Sequence, residues 1–197
     1  HLTESAPRLR QAGVNSINIS LDSLRPERFR DITRIGKLET VLRGIDAAVQ
    51  AGFEKIRLNA VILEGLNRDE VLPLTRFALD KQIGIAFIEE MPLGQVNLGS
   101  KVLSYVSSDE LIDELSTHYA LEPVSNSQTA GPSRNFLIAG TQTQVGFISP
   151  HSNNFCGSCN RLRISAEGRL LMCLGNEESI DLRQLMRAGD SDQSIKT

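Results

Sequence analysis

The sequence predicts an α/β protein: a parallel sheet with helices outside it over residues 1–92, followed by a smaller α+β layer over residues 93–197. Three observations carry this. Helical and strand periodicities alternate in short units up to residue 89, and such alternation implies parallel strands joined by crossover helices, closed barrel-like or doubly wound. The composition is globular, with 197 residues, 40% of them hydrophobic, and a formal net charge of −3, which supplies a sizeable core. After Met91 the character changes to a Gly/Asn/Ser-bearing stretch, short β runs and all three cysteines of the chain.

In order, residues 3–12 read as a helix with Leu9 and Ala12 on one face and Gly13 as its stop. Residues 14–20 are a short strand built on Val14, Ile17 and Ile19. A loop over 21–26 ends at Pro26, which suits the first turn of a small helix. Residues 39–51 carry the clearest helical signal: Val41, Leu42, Ile45, Ala48 and Val49 recur at helical spacing, and Gly52 ends the run. Strand 55–63, helix 69–81 and strand 83–89 complete the alternation. Residues 92–104 form a loop long enough to be functional. Ser107-Ser-Asp-Glu110 is a capping box opening a helix over 109–118, with His118 at its surface end. A polar linker over 125–134 precedes antiparallel strands at 136–138 and 145–148, which lead to the cysteines. A last helix spans 181–187. No internal repeat is visible beyond the βα alternation.

The three cysteines are spaced C-x2-C-x13-C: Cys156, Cys159 and Cys173. Between the second and third, residues 161–165, a turn at Glu167-Gly168 and residues 169–173 read as strand, turn, strand. A hairpin of that length returns the third sulfur toward the first two. Soft thiolates select zinc, copper(I) or iron–sulfur clusters. Three thiolates without a fourth suit a centre that keeps one position open. On spacing alone the alternative is a closed zinc knuckle with His151 as fourth ligand, although a zinc ribbon normally shows a second C-x2-C. A disulfide is the weaker alternative, because the count is odd and no secretory signal is visible. These features point to a cytoplasmic protein.

In parallel α/β sheets ligands sit at the carboxyl ends of the strands. Ser20 and Asp22 close the first strand, and Glu89, Glu90 and Met91 close the third. Arg57 and Asn59 lie two apart on the second strand and therefore share a face. A cation beside a buried amide is costly unless it meets an anion; the bland alternative is that Arg57 reaches outward or pairs with a strand-end Glu. Met91 alone reads as packing as readily as contact. Arg161 and Arg163 alternate on one strand next to the cysteines, so their guanidiniums share a face and form a candidate phosphate or carboxylate clamp. The alternative is a solvated pair on an edge strand. The net charge argues against broad electrostatic binding to nucleic acid, and no apolar run approaches membrane-spanning length.

Asn18-Ile-Ser-Leu-Asp22, Arg57-Leu-Asn59, Phe87-Ile-Glu-Glu-Met91 and Phe155-Cys-x2-Cys-Asn-Arg-Leu-Arg163, followed by Cys173-Leu174, resemble the molybdenum cofactor biosynthesis protein A family, the radical S-adenosylmethionine GTP 3′,8-cyclases. The motifs run in the same order over nearly the whole chain. The cysteine block is specific, whereas the strand motifs are shared across the radical S-adenosylmethionine superfamily. The resemblance implies an incomplete TIM-like (βα) barrel carrying two 4Fe–4S clusters, one that cleaves S-adenosylmethionine and a C-terminal one whose open iron binds the guanine of GTP. It implies that Cys156, Cys159 and Cys173 hold the C-terminal cluster. Arg161, Leu162 and Arg163 would contact GTP, with Arg161 and Arg163 serving catalysis. Arg57 would occupy a triphosphate-binding position, and Ser20 and Met91 would contact S-adenosylmethionine. The oligomeric state stays open between monomer and homodimer, and the next enzyme of the pathway takes the product.

The chain departs from that family in four features. The family's N-terminal C-x3-C-x2-C, its first barrel strands, its glycine-rich methionine-binding segment and its C-terminal Gly-Gly are absent. The sequence therefore reads as a fragment that holds one cluster site and part of a nucleotide site, is not competent to generate the radical, and leaves strand 14–20 as an exposed edge. Two alternatives remain: another radical enzyme with an auxiliary cluster, and a zinc-stapled, non-enzymatic binding module in which Arg161 and Arg163 grip an acidic partner.

Overall fold

The structure is a computed structural model and describes residues 2–91, 104–124, 132–153, 162–173, 179–189 and 191–195. The chain divides into two compact units, His1–Met91 with Asn97–Phe155, and Pro92–Val96 with Cys156–Thr197.

The first unit begins with α1 (Leu2–Gln11), β1 (Ser16–Ser20), α2 (Pro26–Thr33), α3 (Leu38–Gln50) and β2 (Lys55–Glu64). A short 3-10 turn, Arg68–Glu70, leads into α4 (Val71–Asp80), and β3 (Gly84–Glu89) follows. The helix read over 69–81 is thus two pieces. Next come β4 (Ser104–Tyr105), α5 (Ser108–Ser116), β5 (Leu121–Val124), β6 (Ser133–Ile138) and β7 (Gln144–Ile148). The capping box forms as read: the Ser107 hydroxyl accepts from Glu110 N at 3.2 Å and donates to its carboxylate at 2.9 Å. That arrangement satisfies one of the orphan donors of the first turn of α5.

The sheet order is β1-β2-β3-β7-β6-β5, with β4 pairing β2. β1, β2, β3 and β7 run parallel, and β7-β6-β5 continue antiparallel. The strands expected at 136–138 and 145–148 do form and do pair with each other. They continue the main sheet, however, and do not belong to the smaller layer. The physical reason is apolar complementarity along one face. Leu58, Ile85 and Val145 stand in register, as do Ala60, Phe87 and Phe147, and all six are buried. Phe147 packs 6.1 Å from Phe87 and edge-on to Phe136 at 5.8 Å. This face meets Leu38, Ile45 and Ala48 of α3, Val71, Leu74 and Ala78 of α4, and Leu111 and Leu115 of α5. α1 approaches α3 closely at Gly44, where an added Cβ would stand 3.3 Å from Leu2.

Among the described residues β1 stands at one end of the strand order, and its Ser16, Asn18 and Ser20 are exposed. No helix among the described residues is long and apolar enough to cross a membrane.

The second unit contains β8 (Arg163–Ile164), β9 (Arg169–Leu171), β10 (Ser179–Asp181), α6 (Leu182–Ala188) and α7 (Asp192–Ile195). The three strands pair antiparallel in the order β10-β9-β8. Gly168 takes a left-handed φ of +81° at the hairpin turn, a conformation a side chain resists. Asp181 caps α6 by accepting from Gln184 N at 2.8 Å. The hairpin read over 161–173 is therefore present, with shorter strands than the pattern suggests.

Candidate substrate and cofactor site

In-register residues on neighbouring strands share a face, so the register names the side of the sheet that the helices leave uncovered. One row is Asn18, Arg57 and Gly84. The next is Ser20, Asn59, Ala86, Gly146 and Asn135. Polar groups at the two margins flank a floor of Gly84, Ala86 and Gly146. The floor is low by necessity at Gly146, where an added Cβ would meet the Ser133 hydroxyl and would stand 2.7 Å from Asn135 Oδ1.

Among the described residues, two groups on this face lack a protein partner. Asn59 Oδ1 is buried without a hydrogen bond, a state native structures rarely leave uncompensated. Arg57 is half-buried, makes no ion pair among the described residues, and is pushed down from its ordinary value by burial. Of the two readings of Arg57, pairing with a strand-end Glu does not occur among these residues. A desolvated cation next to an unsatisfied amide oxygen suits a ligand with both anionic and hydrogen-donating groups.

At the carboxyl end of β1, burial pushes the Asp22 carboxyl up, partly offset by Val61 N donating to it at 2.8 Å. Asn67 ties the same corner together: its amide donates to Asp22 O and Val61 O at 2.8 Å each, and its oxygen accepts from Leu63 N at 2.9 Å. Below it, the fully buried Glu70 accepts from Ser23 Oγ at 2.6 Å, Leu24 N at 2.6 Å and Arg28 Nη1 at 2.7 Å. The loop after Ser20 is thus held by buried polar groups that the charged run Arg68-Asp-Glu70 does not advertise.

Glu89 differs from its reading as a strand-end ligand group. Its register partner is Ile62, on the face covered by helices. It accepts from Ser108 N, His151 N, Ser152 N and Ser152 Oγ. Burial alone would raise its carboxyl, but these hydrogen bonds outweigh burial and hold it below the ordinary glutamate value of 4.5. The stability they contribute is therefore complete above pH 4.5 and is lost as pH falls through the depressed folded value. Hydrogen exchange at the His151 and Ser152 amides is expected to stay protected down to that pH and to lose protection only below it, measured against a Glu89→Gln control.

The other predicted residues fall as follows. Ser20 is exposed and Met91 half-buried. Leu162 and Arg163 are exposed on and beside β8, and Cys173 is an exposed thiol two residues beyond β9. Because Arg163 pairs with Leu171, β8 begins at the end of the hairpin where the chain leaves β9 toward Cys173. Cys156, Cys159 and Arg161 lie outside the described residues. Among the described residues no group of three or more His, Cys, Asp or Glu is placed to hold a metal ion. The donor set itself, three soft thiols with no carboxylate in the motif, fits an iron–sulfur cluster or zinc. The His151 ring, considered as a zinc ligand, stacks on Tyr105 at 5.0 Å. A groove of about 510 Å³ lined by Leu24, Leu72, Phe77, Arg76, His118 and Tyr119 lies on the helix side and contains none of the candidate site residues.

A family model described as Molybdenum Cofactor Synthesis C matches residues 83–197. The chain belongs to this molybdenum cofactor synthesis family. A second model, the Radical SAM superfamily, matches residues 1–78, the stretch that carries β1, β2 and most of α4. Among curated relatives, a GTP 3′,8-cyclase of Ectopseudomonas mendocina (strain ymp) is 54% identical over 194 residues, covering 98% of this chain and 58% of the relative. A GTP 3′,8-cyclase of Saccharophagus degradans (strain 2-40) is 51% identical over 187 residues, covering 95% and 56%. A third, from Pseudomonas entomophila (strain L48), is 52% identical over 191 residues, covering 96% and 57%. The chain thus spans a little over half the length of these relatives. Within this molybdenum cofactor synthesis chain, Arg57, Asn59 and Ser20 are brought onto one face. Asn135 and Ser133 on that face were invisible to sequence reasoning, since a period-2 pattern does not say which sheet a strand joins.

Proposed function

We propose that the chain is part of a radical S-adenosylmethionine GTP 3′,8-cyclase, which converts GTP to (8S)-3′,8-cyclo-7,8-dihydroguanosine 5′-triphosphate in the first step of molybdenum cofactor biosynthesis. Residues 1–92 contribute part of an incomplete TIM-like barrel, and residues 93–197 contribute the cluster- and substrate-binding region. Cys156, Cys159 and Cys173 hold a 4Fe–4S cluster, which supplies an open iron for the purine when bound. The 197 residues contain three cysteines, all committed to that centre, so thiolates for a second, S-adenosylmethionine-cleaving cluster have to come from elsewhere. Arg57 binds the triphosphate, Arg161 and Arg163 orient the nucleotide, and Leu162 packs against it. Ser20 and Met91 hold S-adenosylmethionine. Asn59 accepts a hydrogen bond from a hydroxyl of one of the two nucleosides. Reduced thiolates fit a cytoplasmic setting.

The observation that carries this reading is the placement of half-buried Arg57, which makes no ion pair among the described residues, beside the unsatisfied Asn59 oxygen on one small-residue sheet face. Anaerobic iron–sulfur reconstitution followed by spectroscopy with and without GTP tests it. About four irons per chain are expected, as a tricysteine cluster requires, with a spectrum that shifts on GTP addition. Arg57→Ala is expected to keep the iron and weaken GTP binding by roughly 10-fold or more, the scale of a lost charge-assisted contact. A colourless chain holding one zinc and ignoring GTP would replace this reading with the zinc-stapled module.

A further inference from the structure

The sheet face that carries Arg57 is not equally open along its length. Ala86 and Gly146 are buried, whereas Gly84 and its register partner Arg57 are half-buried. Of the three floor residues, Gly84 is therefore the one a ligand can reach. Neither the backbone nor the packing of the described residues requires glycine there. Gly84 takes no left-handed φ. An added Cβ would stand 3.4 Å from Gln144 O, 3.6 Å from Arg57 Cγ and 3.6 Å from Ile56 O, which are ordinary contact distances. Gly146 is the contrast, since a Cβ there would run into Ser133 and Asn135. A glycine within a ladder costs strand stability, and where crowding does not ask for it, it suits the close approach of a ligand to the backbone.

The two flanks of Gly84 supply what an anion needs. On β2, Arg57 meets no counter-ion among the described residues, and burial is the influence on its charge. Lys55 lies two residues earlier on the same strand, is exposed, and shares the face. On β7, Val145 pairs with Ile85, so Gln144 stands beside Gly84 and shares the face of Gly146. Gln144 is exposed, and its side-chain amide has no hydrogen-bond partner among the described residues. The acidic group of this row, Glu122, pairs with Leu137, which pairs with Gln144. It is thus two strands beyond Gln144, about 10 Å away, and positive charge prevails at the Arg57 side. We propose that Gly84 and Gln144 complete the anion site of Arg57: a phosphate group of a polyphosphate ligand rests against the Gly84 backbone, between the Arg57 guanidinium and the donating Gln144 amide. That the ligand is GTP rests on the function proposed above, whereas the cradle rests on Gly84 and its two flanks.

The test is isothermal titration of the 197-residue chain with GTP and, separately, with inorganic tripolyphosphate. Wild type is expected to bind both. Gln144→Ala is expected to weaken both by about 5-fold or more, the scale of a lost hydrogen bond to a charged group. Gly84→Val is expected to weaken both by about 10-fold or more by filling the seat. Its thermal midpoint should be no lower than wild type, since valine suits a strand better than glycine. A residue that only maintained the fold would not lose affinity while keeping stability. In an Arg57→Ala background the same Gly84→Val change is expected to cost less than about 3-fold, because both substitutions then act on one contact. If Gly84→Val lowers the thermal midpoint, Gly84→Ala, whose Cβ fits, takes its place, with a loss of about 3-fold expected. Arg57→Ala that weakens GTP while either Gly84→Val or Gln144→Ala is silent overturns the cradle and leaves the GTP reading standing. Tripolyphosphate bound with these sensitivities, but no binding of GTP, keeps the cradle and overturns the GTP reading. A wild-type chain that binds neither probe overturns both.

Discussion

Cys173→Ala is expected to bring the iron held after anaerobic reconstitution from about four atoms per chain to below about one, the largest change any single substitution in this chain should produce. The physical reason is the donor count. The sequence contains three cysteines, so no other thiol can take the vacated position, and two thiolates do not hold a four-iron cluster. Because Cys173 is exposed and lies beyond the end of β9, the loss should leave far-UV circular dichroism unchanged. The control is His151→Ala. On the iron–sulfur reading it keeps the metal, since no fourth protein ligand is required. On the zinc reading it releases the metal, since a structural zinc site is normally closed by four ligands. Iron that survives Cys173→Ala unchanged would remove Cys173 from the centre and with it the open-iron argument.

The second large effect is expected far from the cysteines. Glu70→Ala should cost about 3 kcal/mol, because it leaves the buried Ser23 hydroxyl and the Leu24 amide without their acceptor, at about 1–3 kcal/mol each. Glu70 is 1% exposed, and removing it strips acceptors from Ser23 Oγ, Leu24 N and Arg28. Asp69 offers the contrast within the same turn. Arg28 Nη1 bonds it at 2.6 Å, its strongest downward influence, and Arg25 adds a second pair, yet Asp69 is half exposed. Exposed pairs contribute about 0–1 kcal/mol, so Asp69→Ala should change little. Thermal unfolding of the two variants side by side decides the matter. A drop of roughly 6–12 °C for Glu70→Ala alone is expected for a chain of this size. Equal, small shifts would show that the loop after Ser20 is held by something other than this carboxylate.

That loop illustrates where sequence reading stops. The alternation of helices and strands through Glu89, the stop at Gly52 and the capping box at Ser107 were all legible, because each rests on residues within a few positions of one another. Arg57 and Asn59 were legible as a same-face pair for the same reason. Glu70, Asn67 and Glu89 were not. Each is a polar residue in ordinary sequence surroundings with a partner far along the chain: 19 to 63 residues away for Glu89, 46 and 47 for the Leu24 and Ser23 bonds of Glu70, and 45 for the Asp22 bond of Asn67. Glu89 even stood among the ligand-facing groups until the register placed it beside Ile62, under the helices.

The strands after residue 132 teach the same lesson at the level of the sheet. Their alternation foretold β6 and β7 and their antiparallel pairing, but the choice of neighbour was made by Phe87, Phe147 and Phe136 finding one another across the chain. β5 escaped notice because Leu121-Glu-Pro-Val124 is short, half polar and interrupted by a proline, which a strand at the sheet's margin tolerates.

From the sequence alone came the α/β class, the order of its elements through β3, the tricysteine motif and the family, since periodicity and motif spacing are properties of neighbouring residues. The folded chain alone revealed which face of the sheet is left polar, which arginine and amide on it lack partners among the described residues, and which buried carboxylates hold the loops in place. Those depend on register and on contacts between distant segments, where free energy comes from desolvation and hydrogen-bond completion that no local pattern records.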